Sequence, residues 1–171
     1  MVEAGGARDV RSSALQALVL LVFCLGVPVV TSAQSAPAPP VLGVTEITLE
    51  RDCFGCSTGS ILVLRRDGTA TDTVTGKARA GTQNHVSRGK IRSVDFEKLA
   101  RLMVSEGFFA FKDEYENPEL RDGAWTTIGA VRDGQEKKIF RREHEGPGGL
   151  DGIEKAIDAV RTQITFIPDR R

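Results

Sequence analysis

Histidine is nearly missing from this chain: His85 and His144 are the only two, and tryptophan and tyrosine occur once each. Cysteine is scarce as well, limited to Cys24, Cys53 and Cys56. Net charge is absent, because 23 basic side chains balance 23 acidic ones. Each shortage excludes something. Without a basic excess there is no field to gather a phosphate backbone, so a nucleic-acid partner is not expected. Two separated histidines and one close cysteine pair fall short of the local ligand set of a closed zinc site, so no metal and no cofactor are expected. Haem attachment would need histidine after the second cysteine, and Ser57 stands there. No nucleophile-elbow spacing occurs. The glycine-rich "EGPGGLDG" lacks the Lys-Ser/Thr of a phosphate loop, and Asp151 within it would repel an anion.

Long apolar runs are also rare, with one exception. "ALQALVLLVFCLGVPVV", Ala14 to Val30, follows Arg8 and Arg11 and precedes "TSA". That order of basic flank, apolar stretch and small-residue site reads as a signal peptide over residues 1–33, cleaved after Ala33. Phe23 before Cys24 argues against lipid modification of that cysteine. An exported chain, periplasmic or secreted, is the expectation, with membrane contact only through the N-terminal segment if it stays uncleaved. Residues 34–43, "QSAPAPPVLG", form a Pro/Ala-rich spacer without periodicity.

Residues 44–167 have the length of one domain, and 168–171 read as a charged tail. "VTEITLER" alternates as a half-buried strand does. "SILVLRR", then Asp67-Gly68, then a Thr/Val-rich run predict a hairpin, since Asp and Gly tolerate the positive φ of tight turns. "WTTIGAVR" and "QEKKIFRR" around Asp133-Gly134 predict a second. Between them, "SVDFEKLARLMVSEG" reads as a helix with Ser93 as N-cap and Phe96, Leu99, Leu102 and Met103 on one face. Asp95 and Glu97 would oppose the dipole at its start. "GFFAFKDEY" reads as a buried aromatic segment leading into a polar loop. The last helix places Leu150, Ile153, Ile157, Val160 and Ile164 at helical spacing, with Asp151 and Glu154 as a capping pair. The fold class that follows is α+β: a mainly antiparallel sheet built from hairpins, with two helices packed on one face.

The pair Cys53 and Cys56 carries the sharpest question. In an exported chain that loses Cys24 with its signal, an even pair reads first as a disulfide. The alternative is a thiol–disulfide redox protein or sensor, which wants its first cysteine at a helix N-terminus. Here "STGSILVL" follows, with strand residues and no helical period. A staple across a turn whose tip is Phe54-Gly55 is therefore the favoured reading. "DEYENPELRDG" holds Asp113, Glu114, Glu116, Glu119 and Asp122, yet Tyr115 and Pro118 occupy positions where a calcium loop needs an oxygen ligand and glycine. It reads as a solvated loop, as does the loop carrying His144 between Glu143 and Glu145.

"CFGC", "DGT", "GFFAFKDEY" and "GIEKAIDAV", in that order, resemble a bacterial family catalogued as domain of unknown function 6438. The likeness runs from about Ile47 to Val160, and its matching positions are Cys53, Phe54, Gly55, Asp113 and Tyr115. In that family's pattern the cysteines stand one residue further apart, with proline after the second. The resemblance implies an exported small domain and brings no established activity. Asp113 and Tyr115 are possible binding residues, since loops on rigid scaffolds often carry recognition. The competing structural role has Tyr115 packed on the sheet edge and Asp113 capping the turn. Function is thus expected to be non-catalytic binding of an unknown protein or small-molecule ligand.

Overall fold

The computed structural model describes residues 43–120 and 122–169. The signal-peptide assignment, all but Gly43 of the spacer, Cys24 and the last two residues of the tail lie outside the described residues. Eight strands, β1 (Val44–Cys53), β2 (Thr58–Arg65), β3 (Thr69–Gly76), β4 (His85–Lys90), β5 (Glu114–Tyr115), β6 (Ala124–Arg132), β7 (Gln135–Arg142) and β8 (Ile167–Pro168), form one sheet. Two helices, α1 (Ser93–Ser105) and α2 (Gly148–Arg161), interrupt them. The strand order is β5-β7-β6-β1-β2-β3-β4-β8, and only the β5–β7 pair is parallel. This is the expected α+β fold. The sequence reading names no counterpart for β4, β5 or β8.

The strands alternate because one face is buried. Ile139, Ile128, Leu49 and Leu62 stand in one register row across β7, β6, β1 and β2. Ala130, Ile47, Leu64 and Ala70 make the next row. Both rows are buried in the same cluster as Phe96, Leu99 and Met103 of α1 and Leu150, Ile153 and Ile157 of α2. Both helices therefore cover one face. Each fully buried side chain of this size contributes about 1.5–3 kcal/mol of transfer free energy. Phe108, in a short 3-10 turn after α1, is buried, while Phe109 and Phe111 are half-buried. The aromatic segment is thus buried at its start and shallower towards its end.

Turn chemistry agrees with the reading at one hairpin and departs from it at the other. Asp133 and Gly134 both have positive φ, 52° and 76°, as a two-residue turn with this twist requires. In the first hairpin only Gly68 is left-handed, at 89°. Asp67 stays out of that region and accepts hydrogen bonds from Thr69 N at 2.8 Å and Thr69 Oγ1 at 2.7 Å. The three-residue turn, closed by Gly68 N donating to Arg65 O at 3.0 Å, needs one residue at positive φ, not two.

Both helix starts also differ from expectation. Arg92, not Ser93, is the N-cap of α1, and no side chain caps it. Asp95 is instead held by the Arg92 guanidinium at 2.5 and 3.0 Å, and Glu97 pairs with Arg66 at 3.1 Å. Pro147 is the N-cap of α2, without a side-chain cap. Asp151 and Glu154 do not cap, because arginines on the sheet claim their carboxylates. Ile164 lies beyond the helix end and is half-buried. Pro168 and Asp169, at the start of the expected tail, run along β4, where Asp169 N donates to Val86 O at 2.9 Å.

Candidate functional site

The inward face of the sheet carries a third row, polar at every position but the last: Arg141, Thr126, Arg51, Ser60 and Val74 across β7, β6, β1, β2 and β3. Two guanidiniums so placed cannot remain unpaired under a helix without a desolvation penalty of several kcal/mol each. α2 answers with three carboxylates spaced along one side. Arg141, 1% exposed, donates to Asp151 Oδ1 at 2.8 Å and to Glu154 Oε2. Arg51 donates to Glu154 Oε1 through Nε at 2.9 Å, and bidentately to Asp158 at 2.8 and 2.7 Å. Arg161 adds a third tie, from the end of α2 to Asp72 on β3, at 3.0 and 2.6 Å. The helix is clamped to the sheet along its length.

The electrostatics follow from this geometry. Burial pushes the Glu154 carboxyl up, but hydrogen bonds from Arg141 and Arg51 outweigh it and hold the group below its usual value. Asp151 is lowered chiefly by its hydrogen bond from Arg141. The Arg51 guanidinium is raised, mainly by its bond to Asp158, and is permanently charged. His144 Nδ1 lies 3.5 Å from Asp151 Oδ1, and together with Lys155 these groups line a cleft of about 540 Å³. His144, Asp151 and Glu154 bring ligand atoms within 4.8 Å of one another. Both oxygens of Glu154 and Oδ1 of Asp151 are, however, taken by N–H donors. The cluster is an ion-pair network that joins α2 to the sheet.

Beyond Arg51, at the end of β1, the surface changes character. Cys53 and Cys56 stand in disulfide geometry with Cα atoms 5.4 Å apart, at the end of β1 and in the turn before β2. Phe54, at the tip, is 64% exposed, whereas every other described phenylalanine is buried or half-buried. The turn is held from several sides. Phe54 N donates to Gly123 O at 3.1 Å, and Cys53 N donates to Asp52 Oδ1 at 2.7 Å. Lys77 Nζ donates to Cys53 O at 3.1 Å and also to Asp52. Thr82 Oγ1 donates to Ser57 O at 2.6 Å. The Arg79 guanidinium lies over the Phe54 ring, 5.7 Å from its centroid. Beside the turn, Cys53, Cys56, Val74 and Ala124 help line an open hollow of about 400 Å³.

A scan of protein-family models found no match to this chain, and a search of curated proteins found none either.

Asp113 and Tyr115 lie at the far edge of the sheet. Tyr115, in β5, packs against the core, and its hydroxyl accepts from Lys112 N at 3.1 Å. Gly146 faces its ring so closely that a Cβ there would stand 2.9 Å from Tyr115 Cγ. Asp113 is exposed and pairs with Lys137, while its carbonyl accepts from Phe140 N at 2.9 Å. Glu116 of the same loop pairs with Arg142. The structure thus brings Asp113 and Tyr115 together as anchors of an edge strand, and does not bring them to the cysteine pair.

Sequence reasoning missed Arg51, Arg141, Glu154 and Asp158 as a set. The signal was present. Arg141 falls in phase with Ile139 on an inward-facing strand position, and Glu154 lies inside the apolar stripe of α2. Opposite charges at two buried positions imply each other.

Proposed function

We propose that this chain is an exported, non-catalytic domain that binds a partner protein through the Cys53–Cys56 turn. The observation that carries the reading is Phe54: a large apolar side chain held in solvent on a turn with its backbone tied down. Exposing such a ring forgoes about 1.5–3 kcal/mol of burial. Rigid aromatic anchors of this kind dominate binding energy at interfaces, because little ordering remains to be done on association. Cys53, Phe54 and Gly55, three of the positions that carry the family resemblance, make up this turn.

The charged groups support binding over catalysis. Asp52, Asp151 and Glu154 are held as carboxylates by cationic neighbours, far from the protonation balance a general acid or base needs near neutral pH. Thiol exchange is less well supported. The pair follows a strand instead of opening a helix, the setting that thiol-exchange motifs use.

A photo-crosslinking amino acid at position 54, introduced into the chain exported by its native host, tests the reading. A discrete adduct is expected, competed away by excess wild-type protein but not by a Phe54→Asp variant. The same probe at Val104, an exposed site on α1, should give none. Equal labelling at both positions would remove the proposal.

A further inference from the structure

Phe54 and Arg79 stand on two separate turns that are tied to each other. The segment from Lys77 to Thr82 closes on itself: Ala80 N donates to Lys77 O at 2.9 Å, Gly81 N to Ala78 O at 3.0 Å and Lys77 N to Thr82 Oγ1 at 2.8 Å. Thr82 Oγ1 and Lys77 Nζ then reach across to Ser57 O and Cys53 O of the cysteine turn. Both backbones are held before anything binds. The Arg79 guanidinium lies over the Phe54 ring, and both residues are exposed. Stacking occupies one flat face of the guanidinium and none of its five N–H donors. Arg79 has no carboxylate partner among the described residues. Asp52, at the base of the turn, is already paired with Lys77. Burial pushes the Asp52 carboxyl up, but the bonds from Lys77 and Cys53 N, with the charges of Lys77 and Arg79, bring it below its usual value. Two cations thus act on one carboxylate, and Arg79 is the one left over. Asp122, next to Gly123 in the chain, is exposed and does not pair with it.

A guanidinium stacked on a ring offers its N–H fork sideways, in the geometry that matches a carboxylate. We infer that the partner presents an acidic side chain beside a large apolar one: the apolar group packs on the exposed part of Phe54, and the carboxylate is held in the plane of the Arg79 guanidinium. This rests on the binding reading above and names the chemistry of its occupant. The two contacts reinforce each other. An apolar group on Phe54 shields the neighbouring ion pair from water, which strengthens both the pair and the stacking beneath it. The ring in turn keeps Arg79 in place, so little side-chain freedom is lost when the carboxylate arrives. A lipid surface matches this turn less well. Binding to anionic headgroups uses clusters of about four to eight basic residues, and here one unpaired arginine stands beside one ring.

Selection of short random peptides, displayed on phage, against the immobilised exported chain tests the inference. Recovered sequences should be enriched in Asp or Glu next to a large apolar residue. A synthetic peptide of the enriched sequence should bind about tenfold more weakly to Phe54→Asp and to Arg79→Gln. Arg79→Lys should recover part of that loss, since an ammonium keeps the charge without the paired donors. Selection repeated on Arg79→Glu should return Lys or Arg in place of the acid, and Asp122→Asn should not weaken binding. These side chains are exposed, so the variants should melt with the wild type; a loss of binding that only tracked unfolding would count against the inference. Peptides without an acidic residue, or an affinity indifferent to Arg79, would overturn it. So would Phe54-dependent binding to phosphatidylserine vesicles with no peptide selected. The position-54 crosslinker separates the two failures. A discrete adduct beside a selection without acidic preference overturns the acidic segment and leaves the binding reading standing, whereas no adduct and no selected peptide would remove both.

Discussion

Replacing Glu154 by alanine tests whether the clamp between α2 and the sheet works as its geometry implies. Glu154 accepts from Arg141 through one oxygen and from Arg51 through the other. After its removal Arg51 keeps a bidentate partner in Asp158 and loses little. Arg141 fares worse. It is 1% exposed, its Nε has no hydrogen-bond partner among the described residues, and it would retain only the half-exposed Asp151. Removing one partner of a buried ion pair costs about 3–5 kcal/mol. Because Asp151 remains, the low end applies, so the expected loss is about 3 kcal/mol. That is a large share of a domain stability of about 5–15 kcal/mol. In urea, with a slope of about 2 kcal/mol/M, the midpoint should fall by about 1.5 M. The informative control is Arg141→Met with Glu154→Leu, which removes both charges and keeps the volume. It should lie within about 1 kcal/mol of wild type, since an apolar pair can replace a buried ion pair at little cost. The reasoning fails if Glu154→Ala costs less than about 1 kcal/mol, or if the double variant is no better than the single one.

Three further outcomes are expected. Asp151 and Glu154 have folded-state values below their unfolded ones, so their contribution is complete above the ordinary carboxylate range near pH 4 and fades as pH falls below it. The melting temperature should hold from neutral pH to about 5 and then drop, and Glu154→Ala should flatten that drop. In the exported protein, Cys53 and Cys56 should resist alkylation in non-reducing denaturant, and replacing both by serine should cost about 2 kcal/mol, the low end for so short a loop. Tyr115→Phe removes the acceptor of Lys112 N and should cost about 1 kcal/mol, whereas exposed Asp113→Ala should cost under about 0.5. Loss of capture at position 54 in that pair of variants, with stability unchanged, would return Asp113 and Tyr115 to the list of contact residues.

The hairpins and both helices were legible because their signals are local. Asp133-Gly134 announces a turn whatever surrounds it, and Leu150, Ile153, Ile157 and Val160 repeat at a period only a helix satisfies. What escaped depends on distant partners. Ser93 looks like a cap until Arg92 engages Asp95, and Asp151 looks like one until Arg141 arrives from β7. β4 escaped because His85–Lys90 has little apolar alternation; its place comes from pairing with β3. The short β5 and β8 have no pattern of their own and exist because an edge was available to them. The Phe54 turn could be located from its cysteines, but its exposure and its neighbours are properties of the assembled end of the sheet.

β1 comes first among the strands in the chain and sits at the middle of the sheet, with β2 on one side and β6 on the other. That placement favours one order of events in folding. A chain emerging N-terminus first can zip β1 to β4 by successive hairpins, all from contiguous sequence. The other flank of β1 must then wait, with its amide row unpaired, until Ala124 to Arg132 appears. Such a non-local closure is slow relative to hairpin formation and leaves an adhesive edge exposed meanwhile. The same closure brings Arg51 alongside Arg141, and only then does α2 have both arginines to dock against. The last helix therefore acts as a latch: it can engage only when the two half-sheets have met in register, and a slip of one residue at the β1–β6 seam would turn Arg141 to the face opposite Arg51 and leave the latch open.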